Sequence, residues 1–371
     1  MTSRSRVLAA LNNEKPDKVP IFELWIDDSI LIKLGNLLIP EMTEIKPSGK
    51  RFGGERIDLI DLYCSVAEKL GLDATSYIFS MGLDHITGDT CRDKYGTLYS
   101  LSEHGEPMPF KGPIEDVSDL KGFDMVSKLV PDDFAGFRFI VNKMGSNIAH
   151  FMTISDPFKV SWRLRGGMQN LLMDYVLRPQ LVHDLARIST DFSMAAIDIA
   201  VAEGADVIVL NGDLAGESTT LMSPEHFREY IKPYEKEIVD FVHQKGAKIV
   251  KHSDGNIWSI LDDFLEIGFD GIHPIQPQCM DIAKVKGYLA GRMCILGNID
   301  CRNLLCFGTE DDVKKAVKET IRQAAQGGGY ILSSSNTIHP GCKPENYIIM
   351  VEATHEYGSS PDFNSSEAPL L

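Results

Sequence analysis

The chain has no C-x-x-C pair, no apolar run approaching the ~20 residues of a membrane span, and no excess of basic side chains. Each absence removes a class of function. The seven cysteines (Cys64, Cys91, Cys279, Cys294, Cys301, Cys306 and Cys342) are odd in number and show no ribbon or redox spacing. Reduced, mostly buried thiols are therefore expected, and not a disulfide scaffold. Lys and Arg number 37 against 53 Asp and Glu, a net charge of −16, so bulk attraction to nucleic acid or to an anionic membrane is not expected. Near the N-terminus, Arg4 and Arg6 precede only the stretch VLAAL; Glu14 and Asp17 follow, and no small-residue cleavage site appears. No signal peptide is expected, and the acidity reads as the solubility of a cytoplasmic protein. No glycine-rich loop follows the first predicted strand, which argues against an open dinucleotide-binding sheet.

What is present is regular alternation. The 371 residues are 43% hydrophobic, enough for one large core. Val7, Leu8 and Leu11 fall at helical spacing, predicting an N-terminal helix over 3–13. VPIFELW (19–25) reads as a first strand, 28–70 as mixed segments ending in a helix over 58–70, and 76–82 as a second strand. Residues 91–103 resemble a hairpin turning at Lys94-Tyr95-Gly96-Thr97, within a proline-rich insertion over about 84–135. Strands then follow at 151–154, 206–210, 248–252, 271–275, 293–296 and 330–332. Helices are predicted at 158–177, 179–203, from Ser223-Pro224 onward, 257–267, 280–289, 309–326 and 344–357. Eight strands alternating with helices predict a single α/β domain over 1–371, a (β/α)8 TIM barrel with an N-terminal helical extension. A disordered tail is expected over 359–371.

Barrel chemistry belongs at the C-terminal ends of the strands. In strand order these carry Glu23, Asp84, Asp156, Asn211 with Asp213 and Glu217, His252 with Asp254, His273 with Gln276, Asn298 with Asp300, and Ser333–Asn336 with His339. Several also suit plain structural roles: Asp156 before Pro157 as a helix cap, Asp213-Leu-Ala-Gly as a turn, His273 before Pro274 as a buried core residue. The most informative stretch is KIVKHSDGN (248–256), a strand running into a polar turn, with His252 and Asp254 two residues apart. Imidazole and carboxylates so placed suit a Lewis-acidic divalent ion held by His252 with Asp254 or Glu217, or metal-free proton transfer by His252 or Asp254. Cysteine ligation is not expected there, since no cysteine lies at a predicted strand end beside His252.

Several segments together resemble the uroporphyrinogen decarboxylase superfamily, in its corrinoid-linked methyltransferase branch. They are RVLAALNNEKPDKVPI, LRGGMQNLLMDYVLRP, GDLAG, SPEHFREYIKPYEKEIVD, KHSDGNI, LGNID and GGYILSSSNTIHPGCKPENY. The resemblance implies a (β/α)8 barrel, in agreement with the strand count. Decarboxylases of the family carry an arginine-rich RQAGR-type motif for substrate carboxylates; the corresponding IDDSILIKLG (26–35) has no arginine and is acidic. Branch members acting with coenzyme M hold zinc through an H-x-C pair and a distant cysteine. Here the first ligand is kept as His252, Asp254 replaces the paired cysteine, and the distant one falls near Asn336.

The resemblance, read with these exchanges, implies a methyltransferase that moves a methyl group from a methoxylated, aromatic or similar small donor to Co(I). The corrinoid would be carried by a separate protein, since no D-x-H-x-x-G cobalamin motif occurs. Zinc would be held by Glu217 and His252, with Asp254 and Asp213 as further ligands or as residues that orient them. Catalytic roles would fall to His252, Asp254, Asp213 and Asp84. Substrate contacts would come from Glu23, Asp156, Asn211, His273, Asn298, Asn336 and His339. A homodimer is common in the family. Two readings compete: a metal-free decarboxylase using Asp254 or Asp84 as proton donor, and a non-catalytic partner-binding barrel.

Overall fold

The computed structural model describes residues 1–41, 57–102 and 107–359; most of the expected disordered tail lies outside them. Eleven strands occur among the described residues: β1 (Ala74–Ile78), β2 (Asp84–Thr87), β3 (Thr90–Arg92), β4 (Leu98–Leu101), β5 (Pro107–Lys111), β6 (Ala149–Ser155), β7 (Val207–Asn211), β8 (Lys248–His252), β9 (Gly271–His273), β10 (Cys294–Ile299) and β11 (Tyr330–Ser334). A seven-stranded parallel sheet runs β1-β6-β7-β8-β9-β10-β11, with helices in the connections, and β2 to β5 form a separate antiparallel sheet in the insertion.

The eighth stave is where the sequence reading needs correction. Residues 19–25 are not a regular strand but an extended segment with isolated parallel bridges, Ile21 to Leu332 and Ile26 to Ile338. It still bonds on both sides: Phe22 N–H donates to the Leu332 carbonyl and Asp73 N–H to the Ile21 carbonyl, each at 3.0 Å. Pro20 has no N–H to give a ladder, and the Asp73 carboxylate takes the Ile21 N–H at 3.0 Å. The segment thus closes a (β/α)8 barrel without forming a strand of its own.

Alternation along the strands sorts the core. Phe151, Val207, Val209, Val250, Leu296 and Ile331 pack inside with Phe22 and with Val7, Ala10 and Leu11 of helix Ser3–Leu11, which plugs the floor. Ile208, Leu210, Ile249, Ile295 and Leu332 pack outward under the helices. Each such fully buried aliphatic side chain contributes about 1.5–3 kcal/mol.

Three further expectations change. The mixed region contains a helix, Asp28–Leu38, capped by Asp27. The second strand begins two residues earlier than read, at Ala74. The helix expected over 158–177 is two, Pro157–Leu164 and Met168–Leu177, broken where Gly166 and Gly167 take φ of 72° and 149°. The insertion lies backbone to backbone on that break: a Cβ on Gly166 would meet the Gly112 nitrogen at 2.4 Å. The 91–103 hairpin is present as β3 and β4, flanked by β2 and β5, which the sequence did not reveal.

Candidate active site

β8 delivers different side chains to its two faces. Ile249 and Lys251 face the helices, Val250 and His252 the interior. Lys251 is fully buried, its ammonium 2.7 Å from Asp156 Oδ2 and 2.6 Å from Glu235 Oε1. Burial pushes the Glu235 carboxyl up against the pull of Lys251, and the charge of Asp156 adds to the push. Asp156 also caps helix Pro157–Leu164, accepting the Lys159 N–H at 2.7 Å. The Lys159 ammonium in turn donates to Asn211 Oδ1 and Asp213 Oδ2, both at 3.1 Å. Asp156, expected as a substrate contact, is instead a fully buried cap and ion-pair partner beneath the site. Asn211 is tied to Lys159.

Above this layer the hydrogen bonds fix a tautomer. Ser333 Oγ donates to the Ser334 carbonyl at 2.9 Å, so it accepts from His273 Nε2–H at 3.1 Å. His273 Nδ1 is then an acceptor and takes the Nδ1–H of His252 at 2.8 Å. The two rings stack with centroids 5.0 Å apart. Burial, and then the neighbouring His252, holds His273 well below the ordinary imidazole range, so it stays neutral. His252 Nε2 is the ring nitrogen turned to the site, 3.5 Å from Asp213 Oδ1 and 3.9 Å from Asp254 Oδ1. The orienting partner on the far nitrogen sets which nitrogen is free.

The two carboxylates differ. Burial would raise Asp213, but the Lys159 ammonium and His252 outweigh it and hold this carboxyl well below the usual range. At Asp254 burial dominates; His252 opposes it, the Asp213 charge adds to it, and the carboxyl is raised. Asn336 Nδ2 donates to Asp254 Oδ2 at 2.7 Å, while Asp254 Oδ1 is buried with no hydrogen-bond partner. An unsatisfied buried oxygen costs about 1–3 kcal/mol, more when charged. One ligand atom from each of Asp213, His252 and Asp254 lies within 4.8 Å of the others. A divalent cation among them would satisfy the orphaned oxygen, and a donor set of one imidazole and two carboxylates suits zinc or a harder ion.

The remaining expected residues are placed as follows. Glu217 is exposed and ion-paired to Arg302 at 2.6 Å, on the rim and outside the cluster, where Asp213 stands in its place. Asp84 is exposed on β2 of the insertion sheet, in register with Arg92. Glu23 is buried and bonded to Ser334, accepting from its Oγ at 2.7 Å; burial raises its carboxyl to about 8. Asn298 donates to the Ile275 carbonyl at 2.8 Å. Asn336 and His339 line a cavity of about 330 Å³ with Glu217, Gln276, Cys279, Cys301 and Arg302. This cavity reaches the cluster through Asn336 on Asp254 and through Gln276, whose Oε1 accepts the Gly255 N–H at 2.8 Å. A second hollow, of about 370 Å³ beside Arg92, Lys111 and Asp119, holds none of these donors.

Sequence reasoning missed Lys159 and the Lys251–Glu235 pair, and it placed Ser333 at the eighth strand end without a role for it. Lys251 had one readable signal, a charged residue on the helix-facing side of an otherwise apolar strand. Lys159 had none, because its partners are 52 and 54 residues away.

Known proteins resemble this chain in sequence and fold. The family model for uroporphyrinogen decarboxylase (URO-D) matches residues 64–357. Methylcobamide:CoM methyltransferase MtaA of Methanosarcina barkeri is 24% identical over 358 residues, covering 96% of this chain and 98% of the relative. Uroporphyrinogen decarboxylase of Schizosaccharomyces pombe is 29% identical over 192 residues, covering 49% of this chain and 51% of the relative. Among solved structures, a methyltransferase from Methanosarcina mazei shares the fold with a TM-score of 0.71 at 22% identity, covering 96% of this chain and 99% of that one. With a matching family model over most of its residues and a closed barrel bearing its polar cluster at the strand ends, the chain belongs to the uroporphyrinogen decarboxylase family.

Proposed function

We propose that the protein transfers a methyl group from the oxygen of a small methoxylated donor to the Co(I) of a corrinoid carried by a separate protein. The observation that carries this reading is the converging set of His252 Nε2, Asp213 Oδ1 and Asp254 Oδ1, all imidazole and oxygen, beside a polar cavity. By the sequence resemblance, branch members acting with coenzyme M carry one cysteine at the position of Asp254 and a second near that of Asn336. In this chain those two side chains hydrogen-bond to each other. Thiolates there suit a thiol acceptor; oxygen donors suit an ether oxygen as leaving group.

In the reaction the O–CH3 bond breaks, the methyl carbon bonds to cobalt, and the oxygen leaves with the bonding pair and must be neutralised. Zinc held by Asp213, His252 and Asp254 would act there as a Lewis acid. The chain supplies the rest. Ser333 and His273 hold His252 in the tautomer that presents Nε2. Lys159 holds Asp213 by its outer oxygen, leaving Oδ1 turned to the site. Asn336 does the same for Asp254. Glu217, Gln276 and Arg302 at the rim would orient the donor. Since Asp254 is raised, it also suits delivery of a proton to a carbanion, which is what the decarboxylase reading requires.

Two measurements test the proposal. His252→Ala is expected to hold one equivalent of zinc fewer per chain than the wild type; equal content refutes the ligand assignment. With a reduced corrinoid protein and a panel of methoxy compounds, methyl-cobalt absorbance should appear with the wild type and fall at least 100-fold in His252→Ala. Carbon dioxide release from a carboxylated substrate without methyl-cobalt formation would favour the decarboxylase. Methyl transfer indifferent to loss of His252, Asp213 and Asp254 would leave the cluster without a catalytic role.

A further inference from the structure

A second group of metal-ligating atoms lies apart from His252. Cys306 sits on the short helix Leu304–Phe307 after β10, and His339 and Cys342 on the loop between β11 and helix Pro344–Tyr357. Both thiols are buried; His339 is half-buried and lines the 330 Å³ cavity. One ligand atom from each of the three lies within 4.8 Å of the other two, and Cys306 Sγ is 3.7 Å from His339 Nε2. All three surround one backbone oxygen. The Cys301 carbonyl is 2.9 Å from His339 Nε2, 3.2 Å from Cys306 Sγ and 3.5 Å from Cys342 Sγ.

The 3.7 Å between Cys306 Sγ and His339 Nε2 is the separation of two atoms in one metal's ligand shell, and Cys342 Sγ lies close enough to join them. Zinc takes thiolate sulfur at ~2.3 Å and imidazole nitrogen at ~2.0 Å, which puts tetrahedral ligand atoms ~3.5 Å apart. We propose that Cys306, His339 and Cys342 form a zinc site of soft character, distinct from the Asp213–His252–Asp254 cluster. The fourth position is taken by the Cys301 carbonyl or by water entering from the cavity. In the metal-free state the Cys301 carbonyl accepts from both thiols and from His339 Nε2–H, so one oxygen holds the donors together. Loading releases two thiol protons to solvent and forms two metal–sulfur bonds. The His339 proton moves from Nε2 to Nδ1, which gives up the 3.2 Å bond that Nδ1 accepts from Gly341 N–H. The ion would then tie the loop after β10 to the loop after β11, the two walls of the cavity beside Asn336.

The site has a signature that the first cluster lacks, because only it contains sulfur. Full-length protein, kept reduced and stripped of metal, is titrated with Co(II). Wild type should develop a thiolate-to-cobalt charge-transfer band in the near ultraviolet. His252→Ala should keep that band, whatever becomes of the methyl-transfer proposal. Cys306→Ser/Cys342→Ser should lose it and bind its remaining Co(II) without it. His339→Ala should weaken titration of the band at least 10-fold. Circular dichroism of each variant confirms folding, and if the double serine variant fails to fold, Cys342→Val and His339→Ala carry the test singly. No band in the wild type, or a band that survives the serine substitutions and so arises from Cys279 or Cys301, overturns the assignment.

Discussion

Replacing Lys251 by Met should be among the costliest single changes in the molecule. The ammonium is fully buried between Asp156 and Glu235 at 2.7 and 2.6 Å. Its removal leaves two carboxyl groups together at no exposed surface, one with Oε2 already lacking a partner. Breaking a buried pair in this way typically costs about 3–5 kcal/mol, because the remaining charge cannot be hydrated. Part is recovered by protonation: burial already raises the Glu235 carboxyl, and loss of the cation raises it further. The folded variant then keeps a proton that the unfolded chain releases, so its stability should fall as pH rises above the ordinary carboxylate range. Chemical denaturation followed by far-ultraviolet circular dichroism, at about pH 5 and about pH 8, should show the larger loss at the higher pH. Adding Glu235→Gln to Lys251→Met should restore a large share. The loss should also reach the site, because Asp156 caps the helix that carries Lys159, and Lys159 holds Asp213. Zinc affinity at the His252 cluster should fall about 10-fold, as for other outer partners of a ligand. A Lys251→Met protein within ~1 kcal/mol of wild type at neutral pH would refute the view that this ion-paired triad supports the fold beneath the site.

Three other substitutions probe separate parts of the argument. Ser333→Ala removes the acceptor that orients His273, and should lower zinc affinity at the His252 cluster by about 10-fold with little change in thermal midpoint, measured by competition with a chromophoric chelator. Glu23→Gln tests the buried carboxyl raised from 4.5 to about 8. In the wild type the folded state keeps this proton while the unfolded chain loses it, so stability declines from about pH 4.5 to about pH 8 by about 4 kcal/mol. The variant should show a flatter pH profile of unfolding free energy, and an unchanged profile would place the Glu23 titration elsewhere. Gly212→Ala would set a Cβ 1.7 Å from Asp156 Oδ2, displacing the carboxylate from Lys251, and should cost about 3 kcal/mol or more by denaturation. A near-neutral result would mean that Asp156 has room to move.

The sequence alone determined the barrel and the position of its mouth. Strand–helix alternation is local, being written in apolar periodicity and in caps such as Thr309 with Asp312, so the elements could be read without their partners. β8 and helix Pro344–Tyr357 fall on the residues predicted for them, and His252 stands at a strand end as expected. The stave at 19–25 was legible as extended chain but not as an irregular one, since its ladder is interrupted by a carboxylate from Asp73, 52 residues away from Ile21. The composition of the site was decided only in three dimensions. Asp213 and Glu217 lie four residues apart in one loop and are equally good ligands on paper. Ser253 Oγ takes the Leu214 N–H at 3.0 Å and pins the start of that loop to the turn after β8, which presents Asp213 to His252. The loop then turns back through the Ala215–Thr220 bridge, leaving Glu217 at the surface with Arg302. Likewise His339 and Cys342 share the loop after β11 but Cys306 comes from the loop after β10, and the two loops meet only when the barrel closes. Local hydrogen bonding and periodicity fix an element from its own residues. Which side chains converge depends on contacts between segments far apart in the chain, and those contacts exist only in the folded barrel.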